Sequence, residues 1–266
     1  MSEVAILAGE GLLPVAILQA LSSRGIPTKV IALGEADSRL ETLAEQVVYV
    51  REISVSGILG LIRGIGCRRL VLAGSVPKRL IYGDGRLDQG TREWLSSLPS
   101  LDDHALLGSI VGLFEGAGIE VVPYGDLIPE SMAPEGLIAG RTPSEGEWKD
   151  IRYGVGIARE LVRLSFGQAL AVKSCSVLAV EAMEGTDEMI RRAGSIGPGG
   201  VVVKMMRADQ DERFDLPTVG PHTLECMARS GLACLAVEAG RTVILDREKF
   251  GLLADVHGLS VTGFVP

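Results

Sequence analysis

Aromatic side chains are scarce in this 266-residue chain: Phe, Trp and Tyr together make up 4% of it. Its core must come from aliphatic side chains, which dominate the 47% hydrophobic content, and buried parallel strands with covering helices favour that composition. Cysteine is sparse as well. Cys67, Cys175, Cys226 and Cys234 show no CxxC spacing, which argues against a zinc site or a disulfide framework and for thiols kept reduced. His104, His222 and His257 are too dispersed for a zinc triad. No apolar run reaches the ~18 residues that a bilayer span needs. The opening Val4-Ala5-Ile6-Leu7 lacks the charged flank and cleavage site of a signal peptide. Cations are outnumbered, 26 Lys and Arg against 34 Asp and Glu, for a net charge of −8. That balance argues against general nucleic-acid binding, which rests on a basic footprint. The expectation is a soluble, cytoplasmic protein that meets an anionic substrate through locally gathered cations or a metal.

What is present is an alternation of strand and helix. Val4–Ala8, Thr28–Leu33, Arg69–Ala73 and Glu120–Pro123 read as strands. Helices are expected from the Gly9-Glu10-Gly11 turn to Arg24, over Glu52–Arg63 and over Asp102–Gly116. That rhythm predicts a Rossmann-like parallel-sheet domain over residues 1–130. From Pro123 to Ser144 the periodicity gives way to Pro and Gly, and residues 131–144 are expected to form a linker or hinge. Residues 145–266 read as a smaller mixed α/β domain. It has helices at Glu145–Leu164, Thr186–Arg192, Thr223–Ser230 and Arg247–Val256. Its strands are expected at Ala169–Val172, Ser176–Glu181, Val201–Met205, Leu235–Glu238 and Thr242–Ile244.

The densest chemistry lies in Lys204–Gly220, KMMRADQDERFDLPTVG, between an apolar strand and a Pro-initiated helix. Asp209, Asp211, Glu212 and Asp215 alternate there with Lys204, Arg207 and Arg213. Carboxylates suit a hard cation such as Mg²⁺, and Arg and Lys suit phosphate oxygens, so this loop is the candidate phosphate–metal site. Gly9 and Gly11 sit in a βα turn, but Pro14 stands where the third glycine of a dinucleotide fingerprint belongs, so an NAD site is disfavoured. Gly74 and Ser75 leave another strand, followed by Lys78 and Arg79. Asp102 suits a helix cap, while Asp103 and His104 are candidate ligand contacts. Glu184, Gly185, Thr186 and Asp187 connect a strand to a helix, with Lys173 and Ser174 upstream. If the strands of this half are parallel, that turn and the acidic loop open on one face.

AGEG-LLP, LAGSVPKRL, LDDHALL, VEAMEGTDEMIRRAG and KMMRADQDERFDLPTVGPHT, in this order, resemble the LpxI-type UDP-2,3-diacylglucosamine pyrophosphatases over almost the whole chain. The resemblance implies Mg²⁺-dependent hydrolysis of the diphosphate of UDP-2,3-diacylglucosamine to UMP and 2,3-diacylglucosamine 1-phosphate (lipid X), in lipid A biosynthesis. It implies Asp211 and Asp215 as catalytic and metal-holding carboxylates, with Mg²⁺ or another divalent cation, and Arg213 beside them. Substrate contacts are expected from Gly9, Gly11, Gly74, Ser75, Asp103, Lys173, Glu184, Gly185, Thr186, Asp187, Lys204 and Thr218. The implied partner is a lipid-linked UDP-sugar, with peripheral contact at the inner face of the inner membrane and a homodimer as further expectations. The rival readings are a Rossmann-type protein that binds a nucleotide-sugar without cleaving it, and an NAD(P)-dependent oxidoreductase.

Overall fold

The computed structural model describes residues 3–34, 37–76, 87–98, 103–164, 167–207 and 209–266. The chain divides into two compact units, Met1–Ile128 with Asp211–Phe214, and Pro129–Gln210 with Asp215–Pro266.

The first unit is built on a five-stranded parallel sheet. β1 (Val4–Ala8) lies at its centre, with β2 (Thr28–Leu33) and β3 (Gln46–Val50) on one side. On the other side lie β4 (Arg69–Ala73) and β5 (Glu120–Val121). β1 contains no polar residue and is buried throughout, as a strand covered on both faces requires. The helices are α1 (Leu13–Ser23), α2 (Arg39–Leu43), α3 (Val55–Gly64), α4 (Gln89–Ser97) and α5 (Asp103–Gly116). Ile58 and Ile62 of α3 and Val111 and Phe114 of α5 pack with Leu7, Ile31, Leu70 and Leu72 into one core, which Phe214 also joins. β3 and α4 are not apparent from periodicity. β3 is a half-exposed edge, and α4 is largely polar, started by the Asp88 carboxylate accepting from the Thr91 amide at 2.7 Å.

The chain reverses direction after β1 and β4 in two turns that touch. Glu10 and Ser75 exchange backbone hydrogen bonds at 2.8 and 2.9 Å. Gly74 has φ +87°, and a Cβ there would lie 2.7 Å from the Glu10 carbonyl oxygen; one on Gly9 would lie 2.4 Å from that of Ser75. Glycine is required on both sides of this crossing.

The second unit carries a six-stranded mixed sheet in the order β6–β13–β11–β9–β7–β8. These are β6 (Gly136–Gly140), β7 (Ala169–Lys173), β8 (Ser176–Val180), β9 (Val201–Lys204), β11 (Cys234–Glu238) and β13 (Ser260–Phe264). A separate parallel pair joins β10 (Thr218–Val219) to β12 (Val243–Ile244). Helix α6 (Glu145–Arg163) covers one sheet face through Ile151, Ala158 and Leu161. The other face is covered by α7 (Thr186–Ile196), α8 (Pro221–Arg229) and α9 (Arg247–Val256).

The segment expected as a linker, 131–144, contains β6, which pairs antiparallel with β13. Its glycines mark the strand's ends and a register shift at its partner, which is why alternation is hard to see in the sequence. Ser144 then opens α6 with a capping box: its hydroxyl accepts from the Glu147 amide, and Glu147 accepts from the Ser144 amide at 2.7 Å. Arg141 grips the same carboxylate at 2.6 and 2.7 Å. Burial alone would raise the Glu147 pKa; the bonds from Arg141 and Ser144 outweigh it and hold the group below its ordinary range.

Candidate functional site

Strand directions decide which loops meet in the second unit. β7 runs antiparallel to β9, and β8 antiparallel to β7, so β8 and β9 end at the same sheet edge. The anticipated convergence is thus reached through two antiparallel steps. β8 leads through Glu181–Gly185 into α7, while β9 ends on Lys204. Val219, just before α8, follows Thr218 on the short β10. Around these ends lies a cavity of about 330 Å³ lined by Glu184, Gly185, Thr186, Asp187, Lys204, Thr218, His222 and Thr223.

Lys204 is its base. The residue is 6% exposed, and its Nζ donates to the Thr218 carbonyl at 3.1 Å and to the Thr186 hydroxyl at 3.3 Å. Burial pushes the ammonium pKa down, against the pull of Glu181, Asp187 and Asp215. Two helices point their N-termini at the same space. Gly185 precedes α7 without a side chain to cap it, and the α8 start carries His222 and Thr223. Helix starts present backbone N–H groups and a partial positive charge, which attract phosphate. His222 Nε2 lies 3.1 Å from Asp187 Oδ2, a pair on the cavity wall. Glu184 is paired with Arg192; a bond from its own backbone N–H first, and the Arg192 pair second, hold its carboxyl below the ordinary range.

Six of the anticipated contact residues, Glu184, Gly185, Thr186, Asp187, Lys204 and Thr218, therefore share one cavity. Three participants escaped the sequence reading: His222, Thr223 and Glu181. The first two read as an ordinary helix start, and a glutamate closing a strand gives no sign of being buried. Lys173 stands elsewhere. β7 is antiparallel to β9, so Lys173 falls at the opposite end of the sheet from Lys204, where its ammonium donates to the Pro198 carbonyl.

In the first unit, Gly9, Gly74 and Ser75 come together, but the Gly9 amide is engaged by the Ala73 carbonyl, and the amides of Glu10 and Ser75 by each other. The N–H groups of Gly9, Glu10 and Ser75 are thus engaged within the crossing itself. Gly11, at φ +102°, follows in the same turn. Asp103 begins α5, and its side chain lies outside the described residues, as do Lys78, Arg79 and Asp102. This unit also holds an apolar cavity of about 110 Å³, walled among others by Leu7, Leu33, Ile58, Trp94, Leu106 and Phe114. No ionisable group is among its described lining residues.

The acidic loop is an ion-pair network. Asp211 accepts from the Arg213 backbone N–H at 2.9 Å and from Nε and Nη2 at 2.9 and 2.6 Å. Arg213 also reaches Glu115 at 2.6 Å, and the hydrogen bond it donates to Asp211 chiefly raises the guanidinium pKa. Arg207 bridges Asp209 at 3.1 Å and Asp215 at 3.4 Å. Buried Glu238 accepts from the Met206 amide at 2.8 Å and fixes the root of this loop.

The sequence comparisons are consistent along the whole chain. Residues 3–131 match a family model described as the LpxI N-terminal domain, and 134–262 one described as the LpxI C-terminal domain. The UDP-2,3-diacylglucosamine pyrophosphatase LpxI of Caulobacter vibrioides is 33% identical over 285 residues, covering 100% of this chain and 99% of that protein. Solved structures show only distant likeness. The biotin carboxylase domain of a thermophilic 2-oxoglutarate carboxylase gives a TM-score of 0.29 at 15% identity, over 64% of this chain and 34% of that one. The biotin carboxylase subunit of pyruvate carboxylase gives 0.28 at 15% identity, over 69% and 38%. The chain spans about a third of those structures, and likeness at this level carries no argument about fold or activity.

One expectation is corrected here: the reaction written as Mg²⁺-dependent. The relative's name specifies a pyrophosphatase, and neither that name nor the family descriptions specify Mg²⁺ dependence. Among the described residues, no group of three or more His, Cys, Asp or Glu is arranged to hold a metal ion. Asp211 is turned to Arg213 and Asp215 to Arg207, so guanidinium groups balance both charges.

Proposed function

Because the chain belongs to the LpxI family, we propose that it is a pyrophosphatase acting on a UDP-linked diacylglucosamine, with Lys204 receiving phosphoryl oxygens. The observation that carries this reading is the buried ammonium at the base of a cavity toward which two helix N-termini point. Diphosphate cleavage builds negative charge on phosphoryl oxygens, and fixed donors in a partly dry site stabilise that charge. Lys204 has three N–H groups, of which two are held by Thr186 and Thr218, leaving one for a ligand. His222, oriented by Asp187, is suited to move a proton at the cavity wall. Asp211, which is not among the residues lining this cavity, is proposed separately as a water-orienting carboxylate, with Arg213 fixing its direction through the forked contact.

Contact with a membrane, in this reading, is peripheral and made through the lipid substrate. Among the described residues no helix is long and apolar enough to cross a bilayer. The test is incubation of the purified chain with UDP-2,3-diacylglucosamine and chromatography of the products. Nucleoside monophosphate release in step with substrate loss supports the reading. Tight binding without release favours a nucleotide-sugar binding protein instead.

A further inference from the structure

Glu181 is 6% exposed, carries a carboxylate, and is bonded to Thr186 of the cavity wall without itself lining the cavity. It is held on every side. Its backbone N–H donates to the Ala169 carbonyl at 2.9 Å, and its Oε2 accepts from the Gln168 amide at 3.3 Å. A Cβ on Gly167 would lie 2.1 Å from the Glu181 carbonyl oxygen, so the chain passes against this residue where no side chain fits. Its Oε1 accepts the Thr186 hydroxyl proton at 2.8 Å. A hydroxyl has one proton, so with that proton on Glu181 the Thr186 oxygen must act as acceptor toward Lys204, 3.3 Å away. The direction of the whole relay follows: ammonium to hydroxyl to carboxylate.

We propose that Glu181 is a positioning residue, which orders the Thr186 hydroxyl so that Lys204 turns its remaining N–H into the cavity. The proposal rests on the phosphoryl-binding reading of that cavity and adds the residue that aims its cation. Without a fixed acceptor at Thr186, the ammonium could rotate among Thr186, Thr218 and the cavity, and a bound phosphoryl group would lose its aligned donor. Other charged groups around Lys204 are Asp187 and Asp215, whose fields also favour the ammonium; His222 lies beyond Asp187, and Glu184 is paired with Arg192. Glu181 differs from these in being both buried and directly bonded into the relay.

The experiment uses the full chain with Glu181→Gln, which keeps the shape and removes the charge, and Thr186→Val, which removes only the hydroxyl. Nζ of ¹⁵N-labelled lysine is followed by NMR against pH, and turnover is measured as kcat and KM. In Glu181→Gln the Lys204 titration moves to lower pH, the alkaline limb of activity moves with it, and kcat/KM falls on the order of 10²-fold, the cost of misplacing a reacting group. Thr186→Val lowers kcat/KM by a similar factor. A Glu181→Gln chain that melts normally yet shows an unshifted Lys204 titration and unchanged kcat/KM overturns the proposal. A shifted titration in a protein whose wild type releases no nucleoside monophosphate leaves the relay standing and removes the enzymatic reading. If Glu181→Gln fails to fold, Thr186→Val decides: unchanged kcat/KM in that variant overturns the proposal.

Discussion

A lysine ammonium taken out of water loses several kcal/mol of solvation unless its protons find acceptors. Lys204 keeps a carbonyl and a hydroxyl as acceptors and three carboxylates within electrostatic reach, yet burial still holds its pKa below the ordinary lysine value. A site with that cost is what phosphoryl binding needs, since the arriving anion replaces the missing solvation. Lys204→Met is expected to lower kcat/KM by about 10²–10³-fold, as loss of a fixed charge-stabilising donor does in other active sites, read from product release. The pH dependence has a defined sign. Because the folded pKa lies below the unfolded one, the unfolded chain binds more protons in that window, so stability rises with pH there. Activity that needs the ammonium falls over the same window, and a pH profile paired with melting curves would show the opposite trends. Asp211→Asn, which keeps the shape and weakens the grip of Arg213, is expected to lower kcat at least tenfold, in the range of acid–base groups, with circular dichroism unchanged.

At the scale of elements, two local structures are open to direct test. Gly74→Ala forces a Cβ into a positive-φ turn 2.7 Å from the Glu10 carbonyl, so a loss of about 1–3 kcal/mol is expected in denaturant titration. In the second unit, Glu147 joins Arg141 to the start of α6. Its folded pKa is depressed, so its contribution is present above the unfolded value near 4.5 and is lost as pH falls through the folded one. Glu147→Gln should destabilise the fold by about 1–3 kcal/mol at neutral pH, with the difference from wild type shrinking in acid, as calorimetry at several pH values would report. Several elements were legible beforehand for simple reasons. β1 and β2 are short aliphatic runs, and α6 restarts a helical pattern after the Pro- and Gly-rich segment. β13 was not, although it lies between β6 and β11: Ser260, Thr262 and Gly263 interrupt its apolar signal, and only burial on both faces reveals its place.

Over the whole molecule, composition indicated an aliphatic α/β protein, and the structure shows two such units. The motif around Glu184–Asp187 and the position of Lys204 were readable because loops at strand ends gather chemistry in α/β sheets. The burial of Lys204 and Glu181 was not readable, since a charged residue beside a strand is ordinarily exposed and its partners come from distant segments. The partners of Asp211 and Asp215 were not readable for a related reason: sequence shows carboxylates and arginines side by side, and only coordinates show which of them pair. The deciding measurement is nucleoside monophosphate formation from UDP-2,3-diacylglucosamine by the wild-type chain and by Lys204→Met, both verified as folded. The account predicts release by the wild type and a loss of at least about a hundredfold in the variant. Equal turnover by the two proteins would contradict it.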